Sequence, residues 1–328
     1  MRSPLTALGR RVGSVVVTLW VVFTGVFLAL AVVPNPHADV ERHPAYRPRL
    51  FGPLYRDQRF AAQSELLGSQ YLDWLTRIVT LDLGRIGSGN RTVVIGNVVG
   101  EAVTVTLIYL VPAILLAVLL GTLVQLLAVA VEYGDVSAKT KLAGAGAISV
   151  PVFLLAYVLQ VYLPGFVIET SGQITSLGYD DTAGPFALAN LRAAIWPGLT
   201  MTFYLFAIQF RAAGTDLEQY ADEPFVKTAR AKGVGLLGIC RHVFPHSAAR
   251  LLTVLTSEML GMVLVGLYAV EWVTRTPGFG TMTIDAAGSR APGLIFAAVL
   301  LPVLVVSVVN TVRETYYSLF DQIGRAHV

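Results

Sequence analysis

The stretch Pro224-Phe225-Val226-Lys227-Thr228-Ala229-Arg230-Ala231-Lys232-Gly233 decides how this chain reads. Pro224 fits the first turn of a helix, where its missing N–H costs nothing, and Asp222 or Glu223 before it can cap that turn. Lys227, Arg230 and Lys232 crowd the last turns, where positive charge suits the helix dipole. Gly233 can take the left-handed stop. The spacing predicts a helix of about nine residues, ~13 Å long. Phe225 and Ala229 fall on one side of it and Lys227 with Arg230 on another. This short basic knob stands in a polar loop between two apolar runs. A pure membrane anchor has no need of such a loop, whereas a membrane protein gripped by a soluble partner does. The plainer alternative is a basic loop held near anionic lipid.

The rest of the chain supports a membrane setting. Its 328 residues are only 14% charged and have a mean hydropathy of +0.65. A soluble domain carries nearer a quarter of charged residues. The formal charge of +3 is too small to imply nucleic acid, and the single cysteine, Cys240, excludes an internal disulfide. Six runs are long and apolar enough to cross a bilayer, at 12–33, 103–131, 142–163, 191–210, 248–270 and 294–312. The first follows Arg2, Arg10 and Arg11 in the charge order of a signal peptide. It is too long for one and ends in no small-x-small cleavage site, so it reads as a retained span.

Lysine and arginine set the orientation. With the N-terminus in the cytoplasm, thirteen of them fall inside and only Arg192, Arg275 and Arg290 fall in the short outer segments. The long outer segment 34–100 holds eight more arginines, but loops of that length escape the positive-inside rule. Both termini are therefore expected in the cytoplasm. Within the outer segment, 34–53 is irregular, whereas 60–80 places Leu66, Leu67, Tyr71, Trp74, Leu75 and Ile78 on one helical side. That side suits packing on the membrane or spans, or docking of an outside partner.

Several stretches together carry a resemblance. Tyr220 through Arg250, with its core Thr228-Ala229-Arg230-Ala231-Lys232-Gly233 and the later Arg241-His242, resembles the EAA loop of binding-protein-dependent ABC transporter permeases. Specifically it is similar to the dipeptide/oligopeptide (and nickel) permease family. Gln70-Tyr71-Leu72-Asp73-Trp74-Leu75 and the later Asp82-Leu83-Gly84 resemble that family's outer segment. Ser149-Val150-Pro151-Val152-Phe153 resembles its Ser-x-Pro-x-Phe in the third span. Glu271 followed by Pro277-Gly278-Phe279-Gly280 resembles its outer Glu…Pro-Gly-Leu-Gly element. The likeness runs from the first span to Asp321. Departures are Pro34-Asn35-Pro36 for Pro-Gly-Asp-Pro, Leu81 for a Gly, Gly214 for a second arginine after Arg211, and Asp321-Gln322-Ile323 for Asp-Pro-Arg. They mark a divergent member and leave the inner loop untouched.

The resemblance implies an all-α, six-span fold of the type I ABC importer permease kind, in a prokaryotic cytoplasmic (inner) membrane. The whole chain, 1–328, would be one transmembrane domain, with a five-span core at 101–315 and the inner loop at 211–247. It implies that Phe225, Lys227, Thr228, Ala229, Arg230, Ala231, Lys232 and Gly233 form a coupling helix docked on a cytoplasmic ATPase. Implied partners are a second permease, two ATPase subunits and an extracytoplasmic solute-binding protein, with dipeptides or oligopeptides as solute. The sequence contains no Gly-x-x-x-x-Gly-Lys-Ser/Thr run, so ATP and Mg would belong to the ATPase subunits, with no cofactor on this chain and no catalysis by it. Glu271, Gly278 and Gly280 are the candidate outer element. A stand-alone secondary transporter or channel is the alternative, but the inverted repeats and broken helices common in such proteins are not evident.

Other constellations carry less. Glu258 falls inside the fifth span, where a carboxylate costs about 2.5–3.5 kcal/mol and must meet a wet path or a partner helix. It is the candidate translocation-path residue. His242 and His246 sit four apart beside Cys240, but Pro245 interrupts the pattern and no third ligand is evident, so no metal is expected. Tyr179-Asp180 lacks the Gly-x-Gly-Asp partner of an intramembrane protease. Asn90-Arg91-Thr92 has the pattern of a glycosylation acceptor.

Overall fold

A computed structural model of the chain describes residues 4–32, 83–88, 91–130, 149–162, 182–221, 223–235, 237–239, 260–289 and 292–326, with short pieces at 71–72, 75–76, 79–81, 146, 178–180 and 241. The chain divides into two compact units, Met1–Val103 with Met282–Ser307, and Thr104–Thr281 with Val308–Val328.

The first unit holds α1 (Pro4–Val32), a hairpin of β1 (Arg85–Ser88) and β2 (Arg91–Val94), and the start of α2 (Ile95–Ala130). It also takes most of α8 (Phe279–Ser289) and the first part of α9 (Pro292–Ala326). Phe23 of α1 stacks on Phe296 of α9 with ring centroids 4.2 Å apart, and Phe27 meets Tyr71 edge-on at 5.3 Å. The Tyr71 hydroxyl pairs with that of Thr24 at 2.8 Å. Val16, Val17, Trp20 and Val21 stay exposed, as suits a lipid-facing side. Gly84 adopts φ +81°, and its carbonyl accepts the Ile95 N–H at 3.1 Å. The Leu83 carbonyl lies against Gly293, where a Cβ would collide with it. Leu83 and Gly84 thus join the hairpin to the start of α9, which gives the Asp-Leu-Gly stretch a packing role.

The second unit holds most of α2, then α3 (Val152–Tyr157) running into a π-helical turn, Val158–Tyr162. After it come α4 (Leu188–Ala193), α5 (Ile195–Ala221), α6 (Pro224–Ala231) and α7 (Leu260–Thr274). Helices α3, α5 and α7 pack on one another. Met201, Leu205, Ile208 and Gln209 form the buried face of α5, at the i, i+4, i+7, i+8 spacing of a helix. Gly266 brings α7 close to Tyr204 and Met201, and Gly198 brings α5 close to Tyr109 of α2. Glycine at such crossings lets backbones approach where lipid supplies no hydrophobic drive.

Each expected span overlaps helix among the described residues. Ile95–Leu123, Leu188–Phe210 and Gly293–Arg313 are long and apolar enough to cross a membrane, while Gly13–Ala29 and Val263–Thr274 are shorter apolar stretches. The third run, 142–163, is represented by α3 and its π-helical turn. The structure also departs from the sequence reading. The fourth run is broken between α4 and α5, because Pro197 has no N–H to give the Ala193 carbonyl. Helix α5 continues to Ala221 and α9 to Ala326, since backbone hydrogen bonding does not stop where apolar residues do. The hairpin is an exception to the all-α expectation. Its register pairs Ser88 with Arg91 across Gly89-Asn90, a two-residue turn signal that the sequence reading passed over. Helix α8 was likewise not expected. Of the helix expected over 60–80, residues 71–72, 75–76 and 79 are helical and most of the rest lie outside the described residues.

Candidate functional site

Glu271, Gly278 and Gly280 come together in the second unit. Glu271 sits in the last turn of α7 and is fully buried. Its carboxylate accepts four hydrogen bonds. The hydroxyls of Thr106 and Tyr109 donate to Oε1 at 2.6 and 2.7 Å. The N–H groups of Gly280 and Thr281 donate to Oε2 at 2.7 and 3.1 Å. Thr106 also accepts the Phe279 N–H at 2.8 Å. The first three N–H groups of α8, which no helical carbonyl can satisfy, are therefore met by Glu271 and Thr106. A carboxylate at a helix N-terminus also suits the dipole. Each hydrogen bond to a charged group contributes about 1.5–3 kcal/mol, which offsets burial of the acid.

The glycines make room for this arrangement. A Cβ on Gly278 would overlap the Glu271 carboxylate, and one on Gly280 would stand 3.0 Å from the Tyr268 Cα. The turn that brings them there stops α7 with Arg275 at φ +52° and the Thr276 N–H on the Glu271 carbonyl at 3.1 Å. Arg275 takes the left-handed position where glycine is usual, at a strain of about 1–2 kcal/mol. Thr274 and Thr276 share a hydroxyl hydrogen bond of 2.7 Å, and Thr281 donates to the Thr276 carbonyl at 2.8 Å. Gln160 reaches over from the π-helical turn and donates to the Thr274 carbonyl at 2.8 Å. The whole is a latch of α2, α7 and α8, with the π-helical turn pinned to its edge.

The sequence reading found the acid and its glycines but missed Thr106, Tyr109 and Gln160. Thr106 and Tyr109 are three apart in an apolar span, so both fall on one helix face, and that spacing was the available signal. Beside the latch, Asn190 fixes the entry to α4. Its side chain accepts the Asp180 N–H at 2.7 Å and donates to the carbonyls of Asp180, Ala183 and Gly184 at 3.0–3.2 Å. Asp180 in turn accepts the hydroxyl and N–H of Thr182 at 2.6 and 2.9 Å. Those hydrogen bonds, the hydroxyl first, hold its carboxyl below the usual carboxylate range. A small cavity between Tyr179, Asn190, Ala194 and Thr276 has room for about one water and none for a solute.

The inner stretch forms α6, Pro224–Ala231, with Pro224 in its first turn and Glu223 as N-cap. Glu223 caps without a side-chain hydrogen bond, contrary to the expected acidic cap, and Asp222 lies outside the described residues. Its extended backbone leaves the Glu223 carbonyl to accept from Val226 and Lys227 at 3.1 and 3.2 Å. The stop follows the expectation: Gly233 adopts φ +71°. Its N–H donates to Arg230 at 2.9 Å, and that of Val234 donates to Ala229 at 3.1 Å, the paired closure of a Schellman motif. Val226, which the sequence reading did not single out, is the buried anchor at 1% exposure. Phe225, Lys227, Thr228, Ala231 and Lys232 are exposed, and Ala229 and Arg230 are half-buried. The result is a rigid, basic-faced knob carrying one exposed aromatic ring.

Glu258 lies outside the described residues, as do Cys240, His242 and His246. Among the described residues, no group of three His, Cys, Asp or Glu could hold a metal ion.

Comparison with known proteins covers both halves of this geometry. Residues 146–323 match the family described as binding-protein-dependent transport system inner membrane component. A peptide permease protein of Brucella suis biovar 1 is 25% identical over 259 residues, 77% of this chain and 78% of that protein. A peptide ABC transporter permease protein of Sinorhizobium fredii is 25% identical over 320 residues, 95% of this chain and 96% of that protein. A di/tripeptide transport system permease protein of Pseudomonas aeruginosa is 32% identical over 142 residues, 42% of this chain and 41% of that protein. The family match takes in α6, α7 and the Glu271–Gly280 latch, while α1 and α2 lie outside it.

Proposed function

Because this chain belongs to the binding-protein-dependent transport system inner membrane components, we propose that it is the permease subunit of an ATP-driven importer of dipeptides and oligopeptides. The names of the similar permeases support the solute class. The observation that carries the mechanism is the knob: an exposed Phe225 and basic neighbours on a helix whose end is fixed by its own backbone. A stiff element of this kind passes on a push without absorbing it. ATPase subunits that close on ATP and Mg would move α6, and α5, two residues away in sequence, would carry the displacement into the spans. A second permease and an outside binding protein complete the assembly, with both termini of this chain in the cytoplasm. The Glu271 latch serves as a rigid outer end against which the spans rock. Glu258 is the acid of the fifth span whose charge suits the amino group of a peptide.

The test is reconstitution of the two permeases and two ATPase subunits in vesicles with the loaded binding protein. ATP-dependent uptake of labelled dipeptide is expected. Uptake of nickel but no peptide would change the solute, and uptake driven by an ion gradient without the ATPases would overturn the reading in favour of a stand-alone transporter.

A further inference from the structure

Gln209 belongs to neither site, yet it is the largest polar side chain without charge that is fully buried on α5. At 0% exposure, it lies in line with the buried Met201, Leu205 and Ile208. Among the described residues, neither its Nε2 nor its Oε1 has a hydrogen-bond partner. Its stem crosses Gly121 of α2, where a Cβ would stand 2.8 Å from Gln209 Cγ and 3.0 Å from Gln209 Cβ. The two helices therefore cross with no side chain of α2 between them at this point.

An amide offers two donors and a carbonyl acceptor, and within a bilayer bulk water is no substitute partner. Methionine would fill the same space without that penalty. The amide thus disfavours the present arrangement relative to one in which it is paired. Helix α5 runs unbroken from Gln209 to Ala221, and α6 begins two residues further on. A push on α6 acts along α5, and at Gly121 there is no Cβ ridge for Gln209 to climb. We propose that the Gln209–Gly121 crossing is a sliding contact of the transport cycle, and that the Gln209 amide gains its hydrogen bonds when α5 has shifted along α2. The amide then biases the protein toward that second conformation. This deepens the reading of α6 as the coupling helix and rests on it.

The experiment compares wild type, Gln209→Met and Gly121→Ala in the reconstituted four-subunit complex, with melting temperature and ATP-driven dipeptide uptake read on each. Gln209→Met removes the unpaired amide, so its melting temperature is expected to rise by about 2–4 °C. Its uptake is expected to fall about fivefold or more while ATP hydrolysis continues. Gly121→Ala puts a methyl in the sliding path and should lower uptake as well. Unchanged uptake in Gln209→Met overturns the proposal whatever its stability. A lower melting temperature also overturns it, because the amide would then be hydrogen-bonded already, as by a buried water. No ATP-driven uptake by the wild type would overturn the permease reading and this proposal with it, and that result shows before any substitution is made.

Discussion

Gly278 lies so close to Glu271 that a Cβ on it would overlap the carboxylate of the acid. The acid cannot swing aside, because four hydrogen bonds, two from α2 and two from α8, hold both of its oxygens. Gly278→Ala is therefore expected to cost about 1–3 kcal/mol, as overpacking of a tight interior does. Glu271→Ala should cost more, since it strands two hydroxyls and two N–H groups. In the double variant the clash has no counterpart, so the two losses should fall well short of adding. Melting of the purified complex measures all three, and simple additivity would show that the residues do not share one site.

Gly233 tests the knob. Valine at φ +71° meets a left-handed strain of about 1–2 kcal/mol, so Gly233→Val should lose the backbone stop of α6. Asparagine tolerates that conformation, so Gly233→Asn should keep it. The expected pattern is normal membrane insertion for both, with uptake lost and ATP hydrolysis uncoupled in the valine variant alone. A crosslink from Thr228→Cys to the ATPase subunit should weaken in parallel. Full uptake with an unchanged crosslink would mean that this loop does not couple.

The lysine and arginine bias predicts an orientation that labelling can test. Thr228 and Val79 are both exposed. An impermeant thiol reagent on intact cells should label Val79→Cys in the Cys240→Ser background, and should reach Thr228→Cys only after permeabilisation. Labelling of Thr228→Cys in intact cells would invert the topology and remove α6 from the ATPase side.

Asp180 gives a pH signature. Its carboxyl is held below the ordinary value by hydrogen bonds from Thr182. A group with a depressed folded pKa stabilises above its unfolded value, near 3.9, and loses that contribution as pH falls through the folded one. Thr182→Ala should loosen the 180–187 loop relative to wild type at pH 6, read by hydrogen exchange at matched pH. The difference between the two should vanish on acidification below both pKa values. A difference that persists undiminished to strong acid would assign the effect to something other than this carboxylate.

The sequence was most legible where chemistry is local. Pro224 and Gly233 bracket α6 because a missing N–H and a missing Cβ have meaning at one position each, and both act where expected. Apolar runs set the expected spans for the same reason, since bilayer thickness acts on length alone, and helix overlaps each of them among the described residues. What was illegible depends on contacts between distant segments. Thr106 and Tyr109 look like ordinary span residues until α2 is laid beside Glu271, 165 and 162 positions along the chain. Val226 looked no different from its neighbours, because an eight-residue helix has no long periodicity to show which side is buried. At the break at Ala194 the available signal was Pro197, which has no N–H for the Ala193 carbonyl, although Pro112 and Pro302 lie inside unbroken helices.

The closure of α6 by main-chain groups separates two properties that a docking element usually has to balance. The stop of α6 is written in the Gly233 dihedral and in the N–H groups of Gly233 and Val234, main-chain groups that take no part in the outward face. On the proposed reading, the exposed face can then change as a face plate is changed, with that stop left in place. If α6 docks on an ATPase as proposed, allegiance to a different one becomes accessible through a handful of exposed positions, one at a time, with the stroke length of the device inherited unchanged.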